Sequence, residues 1–113
     1  MKVIFSHGKD SNPQSRKIQY LIPVADKLGF KTESIDYTST KDPVVRVQML
    51  LDRLQKEKDD IILYGSSMGA YVSLVVSELI PVKGLFLCAP ASYLEDYDTQ
   101  SFKKQNIPIT IIH

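Results

Sequence analysis

The stretch Ile61-Ile62-Leu63-Tyr64-Gly65-Ser66-Ser67-Met68-Gly69-Ala70-Tyr71 constrains this chain more than any other. A short apolar run stops at Gly65, a serine follows, and a helical apolar pattern resumes after Gly69. A strand and a helix joined through G-x-S-x-G place a serine on a tight turn, with its Oγ projecting from the carboxyl edge of a sheet. The chain doubles back within a few atoms of that serine, so Gly65 and Gly69 fall where a Cβ would clash. The helix beginning beside Ser67 offers free N–H groups and the positive end of its dipole, which suits a developing oxyanion. The competing reading is a plain glycine-containing turn in which Ser67 only caps the helix.

Around this stretch the chain alternates strand and helix patterns. Lys2 to Ser6 reads as a buried strand, followed by the loop His7-Gly8-Lys9-Asp10-Ser11-Asn12-Pro13. Ser11 or Asn12 is expected to cap a helix that starts at Pro13. Ile18, Leu21, Ile22, Ala25 and Leu28 repeat at helical spacing; Gly29 supplies a stop, and Pro23 predicts a kink or break after about two turns. Lys31 to Tyr37 is polar for a strand, which predicts an edge or near-edge position. Asp42 and Pro43 open a second helix, with Val44, Val47, Leu50, Leu51 and Leu54 on one side and Arg46, Gln48, Arg53 and Lys56 toward solvent. The run Gln55 to Asp60 reads as a solvated turn.

After the G-x-S-x-G stretch, Met68 to Leu79 reads as a helix apolar on most sides, ended by Pro81. Gly84 to Cys88 is a fourth strand, closed by Ala89-Pro90-Ala91-Ser92. Tyr93 to Asn106 is polar and aromatic, with room for a short helix, and Ile107 to His113 is a fifth strand. The pattern predicts an α/β fold: a doubly wound, mostly parallel five-stranded sheet with flanking helices. In such a sheet, active residues collect at the carboxyl ends of the strands near the switch in strand order. Those ends carry His7-Gly8-Lys9, Asp36, Ser67-Met68, Cys88-Ala89-Pro90 and His113, so both histidines and the motif serine share one edge.

These residues resemble the α/β-hydrolase superfamily, in particular its small cap-less bacterial serine esterases. The matching features are the strand ending in His7-Gly8, the following Ser11-Asn12-Pro13, the elbow Gly65-Ser66-Ser67-Met68-Gly69, Ala89-Pro90, and a last strand ending in His113. The resemblance implies Ser67 as nucleophile and an oxyanion hole built from the backbone N–H groups of Met68 and Lys9. It gives His7 a structural place in the oxyanion loop. In chain order this superfamily runs serine, acid, histidine, and the acid usually follows the fifth of these strands. Neither family-equivalent residue occurs within the sequence, so residues 1–113 are expected to form one domain truncated before its acid and histidine. A serine without a positioned base is a poor nucleophile. His113, oriented by Asp36, Asp96 or Asp98, is one local candidate for that base and His7 is another; against this stand local hydrogen bonding by His113 and the loop role of His7.

The expected chemistry is therefore hydrolysis of a small-molecule carboxylic ester or thioester through an acyl-enzyme on Ser67. The alternative is a non-catalytic scaffold of the same shape that binds a ligand or partner along that edge. Pairing of the last strand with a second copy is a further expectation. No cofactor is expected: the first strand is not followed by G-x-G-x-x-G or a P-loop, and two histidines and one cysteine give no metal-ligand spacing. Lys and Arg number 14 against 13 Asp and Glu, so no global basic field points to nucleic acid or anionic lipid. No apolar run approaches the roughly 18 residues of a membrane span, and a single cysteine fits a reducing, cytoplasmic setting. Cys88 reads as a buried inert thiol or a reactive one, and Tyr93 and Tyr97 as loop packing or the lining of an acyl pocket.

Overall fold

The alternation of strand and helix patterns read from the sequence is present in the fold. A computed structural model describes residues 1–88 and 108–112. Strand β1 (Lys2–Ser6) leads to helix α1 (Arg16–Lys27), β2 (Lys31–Ile35), α2 (Pro43–Leu54), β3 (Ile61–Ser66), α3 (Met68–Leu79), β4 (Gly84–Cys88) and β5 (Ile109–Ile112). The strands form one sheet in the order β2-β1-β3-β4-β5, with every neighbouring pair parallel. The order reverses between β1 and β3, the switch point of a doubly wound sheet.

Right-handed crossovers decide which helix covers which face. The connection from β1 to β2 runs toward one edge, and α1 packs Ile18 and Ala25 on Val3, Phe5 and Tyr64. The next two connections run the other way, so α2 and α3 share the opposite face. There Leu50, Leu54, Val72, Leu74 and Val76 close over Ile4, Leu63, Leu85 and Leu87. Side chains such as Leu50, Leu63, Leu74 and Val72 are fully removed from water, each worth about 1.5–3 kcal/mol. The polar β2 is an edge strand, as its composition predicts.

Local signals were right in kind and sometimes displaced. Helix α1 is capped by Ser15, whose side chain accepts from the Ile18 N–H, instead of by Ser11 or Asn12. Asn12 closes its own turn, accepting from the Gln14 N–H at 2.8 Å, and Pro13 lies in that loop. Pro23 does not break the helix. It sits on the exposed side with Gln19 one turn back, so the carbonyl it deprives of a donor is open to water. Gly29, at φ 86°, ends the helix region as predicted. Asp42 caps α2 by accepting from the Val44 N–H at 2.9 Å.

The face assigned to α2 needs correction. Val44 is 71% exposed, whereas Arg46 is 1% exposed and lies on the buried line with Leu50 and Leu54. Nor is the end of α2 merely solvated. Arg53 makes a fork to Glu33 on β2, with Nε donating at 2.7 Å, and reaches Glu57 at 2.8 Å. Lys2 joins both carboxylates at 3.2 and 3.1 Å, tying the edge strand and the helix end to β1.

The Arg53 hydrogen bond, then the Asp59 N–H and Lys2, hold the Glu57 carboxyl at about 2 instead of the ordinary 4.5. A carboxylate whose value is depressed by folding adds stability above its unfolded value, and that stability is lost as pH falls through the folded one. Glu57→Gln is therefore expected to melt below the parent at pH 7, with the gap closing between about pH 4.5 and 2. A gap that persisted unchanged at pH 2 in thermal melts would count against the network.

Candidate functional site

The turn around Ser67 follows from steric demands that only glycine meets. A Cβ on Gly65 would overlap the Gly69 carbonyl, and one on Gly69 would overlap the Ser6 carbonyl of β1. Elbow and neighbouring strand thus pack backbone on backbone. Ser67 pays for the sharp reversal with φ 54° and ψ −118°, and is the one non-glycine residue at positive φ among the described residues. Such a conformation costs on the order of 1–3 kcal/mol and persists only where surrounding structure enforces it. Enforcement is visible here: the Ser67 N–H donates to the Cys88 carbonyl at 2.8 Å, anchoring the turn to β4.

Ser67 occupies the position that precedes α3 yet makes no side-chain capping bond. The plain-cap reading of this serine is therefore wrong. Its hydroxyl is left half-buried at the carboxyl edge of β3, beside the first turn of a helix. Met68 opens that helix, so its N–H has no intrahelical acceptor.

The loop after β1 meets the same point. A Cβ at Gly8 would stand 3.3 Å from Ser67 Cβ and 3.8 Å from Ser67 Oγ, so the Gly8 backbone flanks the serine directly. Lys9 follows with an exposed side chain. The structure thus brings together Ser67, Met68 and the Gly8–Lys9 segment.

His7 takes no part as a base in this arrangement. It is fully buried, and both ring nitrogens are committed: Nδ1–H donates to the Gly8 carbonyl at 2.8 Å, and Nε2 accepts from the Tyr37 N–H at 2.9 Å. A carbonyl can only accept and an amide N–H only donate, which fixes the neutral Nδ1–H tautomer. Burial, the largest influence, pushes the imidazole below its ordinary value and reinforces neutrality. Asp36 is likewise engaged, accepting from the Thr38 N–H at 2.8 Å and the Thr38 hydroxyl at 2.6 Å. His113, Asp96, Asp98, Tyr93 and Tyr97 lie outside the described residues. Cys88 is half-buried, with Lys17 Nζ 3.4 Å from its Sγ.

Two residues of the site were not recognised from sequence. Tyr37 is fully buried against His7 with rings edge-on at 5.3 Å, and its hydroxyl shares a 2.7 Å hydrogen bond with Ser6 Oγ. Burial raises its phenol to about 12, so it stays neutral. Arg46 reaches in from α2 and donates to the Gly8 and Lys9 carbonyls, each at 3.1 Å. The sequence did carry one signal for it, its spacing of four from Leu50 and eight from Leu54 on the core stripe. Among the described residues no cluster of His, Cys, Asp and Glu could hold a metal ion, and no helix is long and apolar enough to cross a membrane.

Comparison with known proteins agrees with this architecture. Residues 2–109 match the family described as "Uncharacterised protein family (UPF0227)". The chain is similar to a candidate hydrolase of the alpha/beta superfamily from Xanthomonas campestris pv. campestris, with TM-score 0.77 and 24% identity over 98% of this chain and 85% of that one. Mouse alpha/beta hydrolase domain-containing protein 10 superposes with TM-score 0.68 and 20% identity, covering 91% of this chain and 48% of its own. For a pyrethroid hydrolase from Sphingobium faniae JZ-2 the TM-score is 0.64 at 20% identity, over 78% and 39% of the two chains. No curated protein matches the sequence. At these identities the likeness is one of fold, and the fold is that of the α/β hydrolases.

Proposed function

The chain belongs to the UPF0227 family, and we propose that this member is a serine hydrolase that cleaves a carboxylic ester or thioester through an acyl-enzyme on Ser67. The observation that carries the reading is the conformation of Ser67. A serine held at positive φ between two glycines, with its hydroxyl withheld from capping, has no evident structural use for that strain. A nucleophile does, because the turn lifts Oγ to the sheet edge beside a helix N-terminus. The names of the structural neighbours, hydrolases all, point the same way.

In this reading Ser67 Oγ attacks the acyl carbonyl carbon and its proton passes to a general base outside the described residues. The carbonyl π electrons move onto oxygen, and the N–H groups of Met68 and Lys9 donate to the resulting oxyanion. Collapse expels the alcohol or thiol, which takes up the proton, and leaves the acyl group on Ser67. Water then repeats the sequence, releasing the acid and the free serine.

A fluorophosphonate probe tests this, because it phosphonylates only an activated serine. Mass spectrometry is expected to find the adduct on the peptide containing Ser67 and to lose it in Ser67→Ala. An unlabelled protein, or equal labelling of the variant, would instead favour a ligand-binding scaffold. The commitment of both His7 nitrogens is the observation on that side.

A further inference from the structure

Arg46 has the largest side chain among the fully buried described residues, and among the described residues it enters no ion pair. Among the described residues all its directed bonds go to backbone carbonyls: Nε to Thr40 at 2.7 Å, Nη1 to Gly8 at 3.1 Å and Nη2 to Lys9 at 3.1 Å. Its guanidinium lies over the Tyr37 ring, 5.6 Å from the centroid. Taking a charge out of water costs several kcal/mol, and an aliphatic residue would fill the same space without that penalty. What the guanidinium adds is control over two consecutive peptides beside Ser67.

We propose that Arg46 is a positioning residue of the oxyanion hole, holding the Gly8–Lys9 peptide so that the Lys9 N–H is directed at the reacting oxygen. The inference rests on the hydrolase reading above and deepens it. In a trans peptide the C=O and N–H point in opposite directions. Fixing one therefore fixes the other. The Gly8 oxygen is held by Arg46 Nη1, by His7 Nδ1 at 2.8 Å and by the Ser11 N–H at 3.2 Å, which leaves the Lys9 N–H to emerge on the other side. The Gly8 backbone itself abuts Ser67.

The guanidinium charge, which feels the Asp10 carboxylate without forming an ion pair with it, adds a second effect. A cation on the carbonyl oxygen polarises the amide, and hydrogen bonds along such a chain strengthen one another. With a carboxylate in direct contact, Arg46 would brace the fold equally well while delivering less positive potential to the loop. A fork to consecutive carbonyls also demands arginine, since a lysine ammonium has no planar geometry to match.

Arg46→Lys tests the proposal, keeping the charge while losing the fork. With p-nitrophenyl acetate as probe, kcat is expected to fall about 10- to 100-fold while KM stays within about threefold. Affinity for phenylboronic acid, which forms a tetrahedral adduct on a nucleophilic serine, should fall by a similar factor. In ¹⁵N-labelled protein the Lys9 amide resonance should move while those of β4 hold. A folded variant with unchanged kcat, a rise in KM alone, or an unmoved Lys9 resonance each overturns the proposal.

Should Arg46→Lys fail to fold, the parent decides: phenylboronic acid must shift the Lys9 amide more than the Asp10 amide, and an unmoved Lys9 amide overturns the assignment. A parent that neither turns over the ester nor binds the boronic acid brings down the hydrolase reading, and the oxyanion-hole role with it. The Lys9 resonance in the variant then reports separately whether Arg46 orients the peptide.

Discussion

Ser67→Ala is expected to lower kcat for ester hydrolysis by about 10³- to 10⁶-fold, leaving the residual rate that binding and an oxyanion hole sustain without a nucleophile. Ser67→Gly should be equally inactive and yet more stable than the parent. The native residue sits at φ 54°, a region glycine enters freely. Relief of that strain, offset by the extra flexibility of glycine in the unfolded chain, leaves a gain of about 1 kcal/mol, or roughly 4–8 °C in Tm. Steady-state kinetics and calorimetry on the same two variants check both halves. A serine whose loss costs activity and whose replacement by glycine adds stability is one retained for chemistry. If Ser67→Gly melted well below the parent, the strain argument would fail.

The second large effect concerns the backbone under the elbow. Gly69→Ala is expected to cost about 3 kcal/mol or more, because its Cβ would overlap the Ser6 carbonyl oxygen and come within 2.8 Å of the His7 carbonyl oxygen. Neither acceptor has anywhere to go. Ser6 belongs to β1, held between β2 and β3, and His7 is pinned through both ring nitrogens. Gly84→Ala supplies the contrast: among the described residues its Cβ would find its nearest neighbour, the Pro108 carbonyl, at 3.6 Å, an ordinary contact. Chemical denaturation should therefore separate the two variants by several kcal/mol despite their identical chemistry. Equal midpoints would mean that β1 and α3 leave room for a Cβ between them, contrary to the overlap at Gly69.

Most of what positions the site was legible because it follows from short-range rules. The bounds of β1, α3 and β4, the Asp42 cap and the glycine stop after α1 are written in residues adjacent to where they act. So was the elbow, whose two glycines are required by atoms a few residues away and by β1. Errors arose where a residue's partner is distant in sequence. Periodicity sends a charged residue to the wet side of a helix, and nothing near position 46 reveals that the carbonyls of Gly8 and Lys9 await a donor. Glu57 looked like one charge among many until Arg53 and Lys2 were brought to it. The cap of α1 moved to Ser15 because Asn12 spent its side chain on a local turn, a competition that composition alone does not decide.

The parallel pairing of β1 with β3 sets Lys2 beside Ile61 and Ser6 beside Gly65, with all of α1, β2 and α2 intervening in the chain. Such a pairing closes a long loop, and its entropic cost falls due before the contact returns anything. The turn bearing Ser67 can be forced into its strained shape only once the Ser6 carbonyl lies against Gly69 and the Cys88 carbonyl receives the serine N–H. Segments remote in sequence must therefore all have arrived before the serine is presented. A collapsed intermediate with its helices formed and its strands unregistered would bury a similar core and still hold a flaccid, unremarkable serine. If Ser67 is the nucleophile, its reactivity would in that sense be a certificate of completed folding.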